Sequence, residues 1–162
     1  MSDHRLFYHG ADGAVERATS AQILAAAREV LAHRVRRGAP LQTPKQVGEY
    51  LMARLGHLEH EIFGLILVDQ RHRVIQCVDL FCGTIDGASV HPREVVKLAL
   101  QIGAAACLVY HNHPSGVQDQ SHADEIITQK LRAALALVDV HLLDHLIVAG
   151  SSVLSFSERG LL

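Results

Sequence analysis

The chain has 162 residues, of which 49% are hydrophobic and 20% charged, with a formal net charge of −2. This length suits one domain, or one domain with a short appendage; it is too short for an eight-fold β/α barrel of roughly 200 residues or more and too apolar for wholesale disorder. With 15 Lys and Arg against 17 Asp and Glu, the charge gives no support for general nucleic-acid binding, while 12 His beside only 3 Cys favour imidazole-based metal or acid–base chemistry over a disulfide scaffold.

Met1-Ser2-Asp3-His4-Arg5 opens no apolar signal segment, and no apolar run approaches the roughly 18 residues that span a bilayer, so a cytoplasmic protein without membrane contact is expected. Residues 1–17 read as a loose N-terminal arm. Thr19-Ser20-Ala21-Gln22 has the form of a capping box, and Ile23, Ala26, Ala27, Val30 and Leu31 recur at helical spacing, which predicts a helix near 20–36. Arg34, Arg36 and Arg37 read as charge complementing its C-terminal dipole, and Gly38-Ala39-Pro40 stops it. Thr43-Pro44-Lys45-Gln46 is a second capping box, with Pro at the first helical position, for a helix to about Leu55.

The period then changes. Ile62 to Val68 is a nearly continuous apolar run, as in a strand buried on both faces, and Val74 to Leu80 pairs with it as a hairpin across Gln70–Arg73. Gly83 to Ser89 reads as a loop, Pro92 opens a helix ending near Gly103, and Ala104 to Tyr110 is a third strand. A polar loop from His111 leads into a helix from Ser121 to about Leu137. Leu142 to Val148 is a fourth strand, and Val153 to Phe156 a possible edge strand. Strands alternating with helices predict an α/β layered domain around a central mixed sheet. Cys77, Cys82 and Cys107 have no framework spacing and read as buried free thiols.

The chemistry concentrates between His111 and Asp124. His111 and His113 stand two apart at a strand end, which places both imidazoles on one side of the chain. Ser121 and Asp124 follow at a helix start, one turn apart. Two imidazoles and one carboxylate suit zinc, and three protein ligands leave a position open, the mark of a catalytic rather than a structural site. Ser121 beside the metal is a candidate oxyanion donor, and Glu61, at the mouth of the first buried strand, a candidate general base. Each residue also has a plain reading. Ser121 and Asp124 form a capping box, a His pair is common on surfaces and in cores, and Glu61 alone is a strand-edge charge.

Glu61 followed by H-x-H-x7-S-x-x-D, met here by His111, His113, Ser121 and Asp124, resembles the JAMM metallohydrolase motif of JAB/MPN domains. His111-Asn112-His113-Pro114-Ser115-Gly116, Gly83-Thr84-Ile85-Asp86, Pro92-Arg93-Glu94-Val95-Val96 and Leu143-Asp144-His145-Leu146-Ile147-Val148 together resemble the RadC branch. The resemblance implies a three-layer α/β/α sandwich related in layout to cytidine deaminases. It implies a division into an N-terminal arm and helix at 1–40 and a JAB/MPN domain at 41–162. It also implies Zn²⁺ held by His111, His113 and Asp124, Glu61 as the base and Ser121 as the oxyanion-side donor.

The expected function is that of a zinc metallohydrolase acting on a peptide or an isopeptide-linked protein. The alternative is a module associated with DNA repair, or a binding module, that keeps the metal site without peptidase activity. The oligomeric state stays open, a homodimer being one option. Where the family commonly has Pro before the motif Ser, this chain has Gln120, and no helix-hairpin-helix segment is recognisable in residues 1–40. H-x-E with P-C-x-x-C, G-x-S-x-G and Walker phosphate loops are all absent, and the contiguous H-N-H letters do not make an HNH nuclease. His91 reads as lying near a helix cap, His122 as solvent-facing and His145 as a hydrogen-bonded structural histidine.

Overall fold

The computed structural model describes residues 6–9, 13–41, 43–83 and 90–162. A five-stranded mixed sheet forms its centre. It comprises β3 (Ile62–Val68), β4 (Val74–Cys82), β5 (Ala106–Asn112), β6 (His141–Ala149) and β7 (Ser152–Ser155), in the order β4-β3-β5-β6-β7. Neighbours are antiparallel except β5 and β6, which run parallel. That parallel pair requires a crossover, supplied by α4 (His122–Ala136).

Alternation along the strands sorts the core into two layers. Even-numbered Ile66, Val68, Leu108, Tyr110, Leu146 and Val148 pack with Val47, Leu51 and Leu55 of α2 (Pro44–Leu55). Odd-numbered Phe63, Leu65, Leu67, Cys107 and Val109 pack with α3 (Pro92–Ile102) and α4. The result is the expected α/β/α sandwich. Leu51, Leu65, Leu131 and Leu135 are fully excluded from solvent, each removal from water contributing about 1.5–3 kcal/mol. Burial on both faces explains why β3 is a continuous apolar run.

Both predicted capping boxes with Gln close as expected. Thr19 caps α1 (Ser20–Ala32) and Thr43 caps α2, each reciprocated by the Gln three residues on. Four sequence expectations need correction. The N-terminal arm is not wholly loose, because β1 (Phe7–His9) pairs antiparallel with β2 (Val15–Arg17). The α1 helix ends at Ala32 and passes into a 3₁₀ turn over His33–Val35, so its last turn holds no basic residue and positions 34, 36 and 37 follow it. Cys82 is exposed at the end of β4, whereas Cys107 is buried and its thiol is pushed up to about 12 by that burial. Finally, β5 begins at Ala106 because Gly103, in the left-handed conformation, and Ala104 are taken up in closing α3. The strand continues through His111 and Asn112, which pair in the sheet rather than in a loop. The Gly83–Ser89 loop lies outside the described residues except for Gly83.

Gly64 allows the sheet to close over Tyr110. A Cβ at this position would come within 2.3 Å of the tyrosine ring. Beneath that ring, the Tyr110 hydroxyl donates to Asp79 Oδ1 at 2.7 Å and accepts from Arg54 Nη1 at 3.1 Å. Arg54 also pairs with Asp79 Oδ2, so the polar groups on the α2 side are mutually satisfied. Among the described residues, no helix is long and apolar enough to cross a membrane.

Candidate metal centre

The odd-numbered face of β5 carries His111 beneath α4. His113 follows on the same side just past the strand end, and the first turn of α4 brings Asp124 over both. One ligand atom from each of the three residues lies within 4.8 Å of the others. His111 Nε2 and His113 Nε2 are 3.0 Å apart, His111 Nε2 is 3.2 Å from Asp124 Oδ1, and His113 Nε2 is 3.5 Å from Asp124 Oδ2. The predicted convergence of two imidazoles and one carboxylate is therefore present in the fold.

These separations can be compared with what a metal requires. Zinc bound at about 2.0–2.1 Å by N and O donors in a tetrahedron places those donors roughly 3.3 Å apart. The observed separations of 3.0, 3.2 and 3.5 Å bracket that value. The donor chemistry agrees. The Val117 carbonyl can only accept, so the His113 Nδ1 that lies 2.9 Å from it carries the proton. A neutral His113 then offers an Nε2 lone pair to the centre. Two imidazole nitrogens facing each other beside a carboxylate are held together by a proton or by a metal ion, and the three donors fit a metal ion.

Asp124 is prepared for this role. Burial would push its carboxyl up, but the adjoining His111 and His113 imidazoles and the Ser121 amide hold it far below the ordinary carboxylate range. Its position in the first turn of α4 adds the favourable end of the helix dipole. Without a metal, His113 holds its proton more tightly than an ordinary histidine. The Asp124 hydrogen bond is the main cause, opposed by burial and assisted by the Val117 carbonyl and the charge of Glu61.

Ser121 caps α4. Its hydroxyl accepts from the Asp124 amide at 3.1 Å and donates to Asp124 Oδ2 at 2.7 Å, while its own amide donates to the same oxygen at 2.7 Å. The capping box and the candidate metal site are thus one construction, in which Ser121 aims the Asp124 carboxylate. An oxyanion role requires this hydroxyl to turn away from Asp124.

Glu61 immediately precedes β3, and its charge is felt at His113. Its carboxylate has no hydrogen bond or ion pair among the described residues. The backbone around it is held tightly. Asn112, 2% exposed, accepts from the Ile62 amide at 2.7 Å and donates to the His60 carbonyl at 3.0 Å. The Glu61 carbonyl accepts from the Gly83 amide at 2.8 Å. Asn112 therefore brackets Glu61 from both sides, a role that the letters H-N-H did not disclose. Asn112→Ala removes two part-buried hydrogen bonds, each worth about 0.5–1.5 kcal/mol, and should destabilise the chain accordingly. Urea denaturation checks this, and an unchanged midpoint would show that the clamp is dispensable.

The remaining sequence expectations divide. His91 is the residue capping α3 but makes no side-chain cap bond. His122 faces solvent, 3.7 Å from Glu125. Gln120, where the family commonly has Pro, donates to Glu125 Oε1 at 3.2 Å and accepts from Arg159 at 2.8 Å. It thus ties the loop before α4 to the C-terminal segment. His145 is hydrogen-bonded, as expected, but to His111 at 2.8 Å, so it borders the candidate metal centre.

A profile of the RadC-like JAB domain matches residues 41–161. The chain belongs to the RadC family. The RadC chain is 50% identical over 150 residues to a UPF0758 protein of Methylibium petroleiphilum, covering 93% of this chain and 68% of that one. It is 49% identical over 162 residues to a UPF0758 protein of Nitrosococcus oceani, covering 99% and 72%. A third relative, from Stutzerimonas stutzeri, is 52% identical over 138 residues, covering 85% and 62%. JAB domains belong to a metallohydrolase-like superfamily, consistent with the His111, His113 and Asp124 group in this RadC chain.

Proposed function

We propose that this RadC-family chain is a zinc-dependent hydrolase of JAMM type that cleaves an amide bond in a peptide or an isopeptide-linked protein. The observation that carries this reading is the spacing of the three donors, 3.0 to 3.5 Å, at the edge length of a zinc tetrahedron. His111, His113 and Asp124 would hold the ion. When bound, zinc supplies Lewis acidity that makes water a competent nucleophile near neutral pH.

The protein's own groups provide the rest. Glu61, with a carboxylate uncommitted among the described residues, takes the proton of the attacking water and returns it to the leaving nitrogen. The Asn112 clamp fixes the backbone from which Glu61 reaches. Ser121, by turning its hydroxyl from Asp124 Oδ2 toward the substrate, donates to the developing oxyanion. Ser121 is exposed and the His113 and Asp124 side chains are partly so, and the substrate carbonyl approaches from that side.

A panel of unstructured peptides and ubiquitin-like isopeptide conjugates tests this function. Cleavage that is lost on chelation and restored by zinc is the expected result. Salt-sensitive DNA binding with no cleavage of any amide would favour the binding-module alternative.

A further inference from the structure

We infer that His145, held by Thr128, is a positioning residue that sets the tautomer of His111 and so keeps His111 Nε2 available to a metal. The inference rests on the metal-site reading above. It concerns a residue that is neither a ligand nor in reach of substrate, since His145 is fully buried within β6.

The constraint can be followed proton by proton. Thr128 lies one turn along α4 from Asp124, and its hydroxyl is 2.5 Å from the Asp124 carbonyl oxygen. That oxygen can only accept, so the Thr128 hydroxyl donates to it and can only accept from its other neighbour. The neighbour is His145 Nδ1, at 2.6 Å, which therefore carries the ring proton. The His145 ring is fully buried and, among the described residues, has no carboxylate in hydrogen-bond contact, and a buried imidazole in such surroundings stays neutral. Its Nε2 is then a bare acceptor. His111 Nδ1 lies 2.8 Å away and must donate to it. His111 Nε2 is left with its lone pair directed at His113 and Asp124.

Reversing any one of these bonds would place a proton on His111 Nε2, in the middle of the site. The relay starts from the same helix that supplies Asp124, so one turn of α4 both contributes a ligand and determines the state of another. Register explains how the groups meet. His111 stands opposite Ile147 on the parallel neighbour β6, and His145 is one same-face step along that strand.

A purely structural role is distinguishable. His145 packs against Phe63 and Phe156, with ring centroids 5.8 and 4.8 Å away. An apolar ring of similar size could fill that space. Only a ring with a donor on one edge and an acceptor on another can pass the constraint from a hydroxyl to His111.

The test uses the full chain. Zinc affinity is measured by competition with a chromophoric chelator for the wild type, Thr128→Val, Thr128→Ser and His145→Phe. Thr128→Val and His145→Phe should each weaken zinc binding roughly 10–100-fold, and Thr128→Ser, which restores the hydroxyl, should bind like the wild type. Folded Thr128→Val and His145→Phe proteins that bind zinc as tightly as the wild type would overturn the inference.

Long-range ¹H–¹⁵N NMR of the metal-free wild type decides the matter even if a variant fails to fold. The expected pattern is a protonated Nδ1 and a bare Nε2 on His145, with Nδ1 protonated on His111. The opposite tautomer of His145 would overturn the inference. A wild type that shows the expected tautomers but never takes up zinc would instead overturn the metal-site reading and with it the purpose assigned to the relay.

Discussion

Asp124→Ala is expected to abolish stoichiometric metal binding while leaving the chain folded. Asp124 is the only anion among the three donors and lies 3.2 and 3.5 Å from the two imidazole nitrogens. Its loss removes a ligand outright and should weaken binding by more than the roughly 10–100-fold typical of losing an outer partner. The structural cost is smaller. Ser121 Oγ still accepts the backbone amide of residue 124, so half of the capping box survives. Losing the other half costs about 0.5–2 kcal/mol at most, by comparison with helix-cap substitutions. Circular dichroism should report an unchanged fold. A purified variant with a full equivalent of metal would contradict the ligand assignment.

Glu61→Gln is expected to do the converse: retain metal and lose hydrolysis. The amide is nearly isosteric with the carboxylate but cannot take a proton, and general-base assistance is worth about 10²–10⁴-fold in rate. Glu61 precedes β3 and is not one of the three grouped donors, so zinc content should stay at the wild-type level. The backbone clamp, which uses Asn112 side-chain atoms and main-chain groups at 60, 61, 62 and 83, is untouched. Turnover equal to the wild type would remove Glu61 from the mechanism.

The fold was legible in the sequence wherever one physical signal acted alone. Capping boxes at Thr19, Thr43 and Ser121 mark three of the four helix starts because the side-chain pattern is the cap itself. The run Ile62–Val68 reads as a strand because both of its faces are covered. Errors arose where polarity and burial part company. His111 and Asn112 look like loop residues, yet both are buried in β5, because their hydrogen bonds are made to a neighbouring strand, to another histidine and to the turn before β3.

The site was legible to the same extent. Spacing brings His111, His113 and Asp124 together because a strand of period two and the first turn of a helix are local geometries. His145 and Thr128 carry no such local mark. They meet His111 only through the parallel pairing of β5 with β6 and the crossover of α4, a matter of register. A signal was nonetheless present. His145 shares odd parity with Ile147, the partner of His111, and parity along a paired strand determines which face a side chain occupies. The excess of histidine thus has three members at the centre, not two.

The central claim is that His111, His113 and Asp124 form a metal centre, and metal content of the purified wild-type chain tests it most directly. Elemental analysis after zinc loading and desalting should give one equivalent per chain, removable by a strong chelator. A folded chain that retains no equivalent of zinc or of any other divalent metal would contradict it.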